Sequence, residues 1–132
     1  MASSFNEAES QEHKRLVSGL IKFMQSNGWQ ITHADSDGYN RPPPVETHIP
    51  DVRATNSDNS LIAYGEAETC ATLPLGQSLE QMSEFSNRQM STNHQEVPLF
   101  VVVPQACFNQ LKETVAKNFP ARKNITCLYQ PA

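Results

Sequence analysis

Two short apolar runs with acidic residues set into them constrain this chain more than any other feature: Ile49-Pro50-Asp51-Val52-Arg53 and Leu61-Ile62-Ala63-Tyr64-Gly65-Glu66-Ala67-Glu68-Thr69. The intervening Asn56-Ser57-Asp58-Asn59-Ser60 is made of turn-forming residues, so the runs read as antiparallel strands. Side chains alternate along a strand, which puts Glu66 and Glu68 on one face. With Asp51 on the same face of the neighbouring strand, three carboxylates converge on one spot. Ile49, Val52, Leu61, Ile62 and Tyr64 mark these strands as interior, where an acid without a partner is costly. A divalent cation is such a partner. The structural alternatives are that Asp51 initiates a turn after Pro50, and that Glu66 and Glu68 form a solvated strand face.

The rest of the chain reads as a scaffold for that spot. Residues 1–6 are expected to fray, and Glu7 to Ser26 to form a helix. Leu16, Leu20, Ile21, Phe23 and Met24 supply its apolar stripe, and Asn27-Gly28 its left-handed stop. Glu7, Glu9 and Glu12 precede Lys14, Arg15 and Lys22, an order that suits the helix dipole. Packing on a sheet accounts for this helix, with Glu12 as its candidate for reaching the acidic spot. Trp29 to Ala34 alternates as a strand. The loop from Asp35 to Pro44 ends in three prolines, which forbid ladder pairing and give a stiff connector; the alternative is a substrate-facing loop carrying Tyr39 and Arg41. Ser78 is placed to cap a helix running to about Asn87, with Leu79, Met82 and Phe85 toward the core. Pro98 to Pro104 brackets a β-branched strand buried on both faces. A helix from Gln105 to Phe119 and a strand from Asn124 to Tyr129 complete the order α-β-β-β-α-β-α-β. That order implies an α/β fold with a central mixed sheet flanked by helices, in one domain over residues 1–132.

Bulk properties narrow the function. The formal charge of −4 argues against a strong free-standing nucleic-acid binder, though not against an enzyme using a local basic patch, a dimer or a partner protein. Cys70, Cys107 and Cys127 have neither disulfide-framework nor zinc-site spacing and read as buried small hydrophobes in a reducing compartment. No apolar run approaches membrane-spanning length, and the N-terminus lacks the layout of a secretion signal, so a cytoplasmic protein with no membrane partner is expected. There is no Gly-rich phosphate loop and no nucleophile elbow. His33, His48 and His94 are scattered without metal-ligand spacing, and His48 should face away from Asp51.

Pro50-Asp51, fourteen intervening residues, then Glu66-Ala67-Glu68, in this order of elements, resembles the PD-(D/E)XK nuclease superfamily with its restriction-endonuclease-like fold. The resemblance spans about residues 7–129. It implies a divalent-metal-dependent nuclease that hydrolyses phosphodiester bonds, with nucleic acid, DNA in the first instance, as partner and substrate. Asp51 and Glu66 would bind Mg²⁺ or Mn²⁺, helped by the Ala67 carbonyl. Glu68 stands where the superfamily's lysine is usual, as it does in a minority of its restriction enzymes, and would act as metal ligand or general base. Arg53 is a candidate phosphate contact that could equally neutralise Asp51 or Glu66. Gln81 lies where several families of this fold carry a functional glutamine. The alternative is a catalytically inactive nuclease-fold module acting as an interaction or scaffold protein. A homodimer fits a need to cut both strands of a duplex.

Overall fold

Leu16, Val17, Leu20, Ile21 and Met24 recur at helical spacing, and helix α1 (Ser4–Ser26) buries all five in the computed structural model. The structure describes residues 4–91 and 93–131, without the side chains of residues 4–9, so Glu7 and Glu9 lie outside the described side chains. α1 begins three residues before the expected Glu7. Gly28, at φ 90°, takes the left-handed conformation that ends it, and the chain turns into β1 (Gln30–Ala34).

β1 pairs antiparallel with β2 (Val52–Thr55), and β2 pairs antiparallel with β3 (Ile62–Ala67), Val52 lying opposite Gly65. The expected strand over 49–53 therefore starts later, because Pro50 has no N–H to contribute and Ala54 and Thr55 continue the pairing. Asp51 stands at the mouth of the sheet. β3 leads through α2 (Gly76–Ser86) to β4 (Leu99–Pro104), parallel to β3. A 3₁₀ turn and α3 (Phe108–Asn118) then lead to β5 (Ile125–Gln130), parallel to β4. The result is an α/β arrangement of three helices and an open, mixed, five-stranded sheet in the order β1-β2-β3-β4-β5.

Alternation divides the core in two. Val52, Ala54, Ala63 and Ala67 face α1, while Tyr64, Leu99, Val101 and Val103 pack with Met82 and Phe85 of α2 and Leu111 of α3. α1 lies very close to the sheet at Gly65. A Cβ there would stand 2.8 Å from Leu20 Cδ2 and 3.1 Å from Val52 Cβ. Small residues in β3 thus seat the helix whose N-terminal half overhangs Asp51.

Two local expectations are corrected. α2 begins at Gly76, so Ser78 is not its cap; it lies in the first turn, 2% exposed. Cys70 and Cys107 are joined as a disulfide, with Cα atoms 5.7 Å apart. Ala67 and Val102 are register partners in adjacent parallel strands, and the two cysteines follow them at the same end of the sheet. A sequence separation of 37 residues conceals this proximity. Only Cys127 is a free thiol, so cysteine usage no longer supports a reducing compartment. Among the described residues, no helix is long and apolar enough to cross a membrane.

Candidate metal centre

The end of β3 and the entry to β2 bring the acids together. The Asp51 N–H donates to the Gly65 carbonyl at 3.0 Å and approaches Glu66 Oε1 at 3.3 Å, while Asp51 Oδ2 accepts from the Ala67 N–H at 2.8 Å. The N–H and C=O of a strand residue leave on the same edge, so the Ala67 carbonyl also lies toward Asp51. Glu68 falls just beyond β3, yet its N–H still bonds the Val102 carbonyl at 3.0 Å. The Thr72 hydroxyl donates to Glu68 Oε1 at 2.8 Å and fixes its orientation. Asp51, Glu66 and Glu68 are all buried, and all three border one cavity of about 230 Å³.

Burial first, then the charges of Asp51 and Glu68, push the Glu66 carboxyl well above its ordinary range. Glu68 is also raised, chiefly by burial, although the Thr72 hydrogen bond opposes the shift. A carboxylate group under this strain is stabilised by a cation.

The structure supplies a basic partner that sequence reading overlooked. His13, on α1, reaches Asp51 Oδ2 with Nε2 at 3.2 Å. The hydrogen bond to Asp51 raises the imidazole pKa, burial opposes it, and the charges of Asp51, Asp35 and Glu68 add to the rise. The surrounding acids thus favour a proton on the His13 imidazole. The sequence did carry a signal: His13 precedes the buried Leu16 and Val17 by three and four residues, which extends the packed stripe of α1. Glu12, the expected helix contribution, borders a different cavity with Pro104 and Gln105.

Asp35, exposed and outside that cavity, joins His13 and Asp51 in a group that does not include Glu66 or Glu68. Its N–H donates to the Asp51 carbonyl at 2.8 Å, and ligand atoms of His13, Asp35 and Asp51 lie within 4.8 Å of one another. One ligand atom from each could hold a divalent ion between them. The two carboxylates suit Mg²⁺ or Mn²⁺, and an imidazole beside them shifts the preference from Mg²⁺ toward a transition ion such as Mn²⁺.

The remaining candidates divide. Gln81 borders the same cavity as Asp51, Glu66 and Glu68. Arg53 does not; its guanidinium donates to Thr32 Oγ1 on β1 at 3.0 Å. His48 is held elsewhere by Glu84, which accepts from His48 Nδ1 and from the N–H groups of Glu46, Thr47 and His48. Burial works against ionisation of Glu84, but these hydrogen bonds prevail and hold its pKa far below normal. The Glu84 cluster pins the loop entering Pro50-Asp51.

No family model, no curated protein and no solved structure matches the chain. The site's own chemistry therefore carries the functional argument.

Proposed function

We propose that this chain is a divalent-metal-dependent nuclease with a restriction-endonuclease-like fold. The observation that carries the reading is the convergence of His13, Asp35 and Asp51 within ligand distance of one another, beside the buried Glu66 and Glu68 at one cavity. The β1-β2-β3 meander followed by a parallel crossover to β4, with the acids at its mouth, supports it further. A bound Mg²⁺ or Mn²⁺ would lower the pKa of a water ligand and offset charge on the scissile phosphate. Asp51, Glu66 and the Ala67 carbonyl, with His13 and Asp35, are the groups to hold it. Glu68, oriented by Thr72, is the group to accept a proton from the attacking water. Gln81 is the polar contact for substrate from α2.

A second reading, a nuclease-fold module that serves as an interaction or scaffold protein, rests on one observation. Among the described residues, no lysine or arginine borders the main cavity, and Glu68 occupies the place of the usual catalytic lysine. A Mn²⁺ titration of the melting temperature tests the metal centre that the nuclease needs. The wild type should be stabilised, since an ion that binds only the folded chain adds RT ln(1 + [L]/Kd). Asp51→Asn, which retains an acceptor for the Ala67 N–H, should show no such rise. A wild type indifferent to both Mn²⁺ and Mg²⁺ removes the metal centre.

A further inference from the structure

A second cleft, of about 220 Å³, adjoins the metal cluster and shares Asp35 with it. Lys14, the residue after His13, lines it together with Tyr39 and Arg41 of the loop that follows β1. That loop is held in shape. The Asp35 N–H bonds the Asp51 carbonyl, the Ala34 N–H bonds the Asn40 carbonyl at 3.0 Å, and the Tyr39 N–H bonds the Ser36 carbonyl at 3.2 Å. Gly38 turns it at φ 89°, and Pro42-Pro43-Pro44 stiffens its exit. Lys14 and Arg41 have no hydrogen-bond or ion-pair partner among the described residues. Two cations without ion-pair partners are thus presented beside the metal cluster, in a cleft that also carries Asp35 and Asp37.

The exposed apolar side chains point to what lies between the clefts. Four large ones are exposed among the described residues: Tyr39, Ile49, Leu75 and Tyr129. Tyr39 borders this second cleft, and Ile49 and Leu75 border the main cavity, so three of the four flank the acidic cluster on its two sides. Cations for phosphates, alternating with flat or apolar surfaces for bases, form the recognition pattern of single strands. A duplex hides its base faces, which leaves Tyr39 nothing to stack on.

Resting on the nuclease reading, we propose that the substrate is single-stranded nucleic acid, with a flanking base stacked on Tyr39 and its phosphate held by Lys14 and Arg41. Asp37, on the same rim, opposes that phosphate and weakens binding.

The test is fluorescence anisotropy of a short labelled single strand in Ca²⁺, with strand integrity checked on a gel, beside a Mn²⁺ melting titration of every variant. The paired substitution Lys14→Ala with Arg41→Ala should weaken binding about tenfold or more and flatten the salt dependence by about 0.7 in log–log slope, the value for one phosphate contact on a single strand. Tyr39→Ala should weaken binding by about fivefold or more, and Asp37→Asn should tighten it. The Mn²⁺ stabilisation should persist in all of them, which shows the fold and metal group intact. A duplex of the same sequence should bind more weakly. Wild-type binding that these substitutions leave unchanged, or a preference for duplex, overturns the single-strand proposal while the nuclease reading stands. A wild type that takes up Mn²⁺ yet binds neither strand nor duplex overturns both.

Discussion

Replacing Gly65 by alanine probes the link between the core and the site. The new methyl would meet Leu20 Cδ2 at 2.8 Å, Val52 Cβ at 3.1 Å and Met24 Sδ at 3.2 Å, where carbon atoms ordinarily rest about 3.5–4.0 Å apart. Leu20, Met24 and Val52 are fully buried, so none can rotate into solvent, and α1 must move outward. Overpacking of this kind costs about 1–3 kcal/mol. With an unfolding entropy of about 2.1 cal/mol/K per residue, a chain of 132 residues should lose about 4–11 °C in Tm. His13 rides on α1, so its 3.2 Å contact with Asp51 should loosen and the Mn²⁺-induced rise in Tm should shrink. Gly19→Ala is the control on the same helix. There the methyl meets only the end of the Gln130 side chain, and the gain in helix propensity, about 1 kcal/mol, should leave stability equal or higher. Circular-dichroism melts with and without Mn²⁺ measure both quantities. A Gly65→Ala protein that melts with the wild type and responds fully to Mn²⁺ would refute the coupling between helix seating and metal site.

Three further outcomes are expected. In the metal-free protein, Glu66, Glu68 and His13 all hold protons more tightly folded than unfolded, so stability should fall as pH rises from about 5.5 to 8. The His13 contribution is complete below its ordinary pKa of 6.5 and lost through its raised folded value. Saturating Mn²⁺ should flatten this decline, since metal ligands bind deprotonated; a metal-free Tm that climbs across the same range contradicts the assignment. Glu84→Gln removes the charge that gathers three loop N–H groups, and it should lower Tm by several degrees and broaden the amide signals of residues 45–49. Unchanged spectra would show that the loop stands without Glu84. Reducing the Cys70–Cys107 bond, which spans 37 residues, should cost up to about 4 kcal/mol by loop-closure entropy. A melt insensitive to dithiothreitol would show that the bond contributes nothing.

Local pattern made much of this fold legible. The stripe of α1, the hairpin signal at residues 56–60 and the apolar run of β4 each specify an element without help from distant residues. Element order then constrained the sheet, and alternation placed Glu66 and Glu68 on one side. What stayed hidden depends on contacts between ends of the chain. His13 and Asp51 are 38 residues apart, and only the close seating of α1 on Gly65 brings them together. Asp35 opens a polar loop, and the pairing of its N–H with the Asp51 carbonyl, a contact between residues distant in sequence, ties it to the site. Arg53 fitted an alternation argument, yet its long side chain had a nearer acceptor in Thr32. The disulfide was likewise concealed, because parallel crossovers align strand ends that sequence distance separates.

The most direct measurement is a time course of phosphodiester cleavage on a labelled single strand, with matched preparations of the wild type and Asp51→Asn. The nuclease reading predicts cutting by the wild type in Mn²⁺ or Mg²⁺, no cutting in EDTA, and a loss of at least about a hundredfold in Asp51→Asn, in line with the several kcal/mol of charge stabilisation a catalytic metal supplies. Wild-type protein that binds Mn²⁺ and leaves single-stranded, supercoiled and branched DNA and RNA all intact would contradict it.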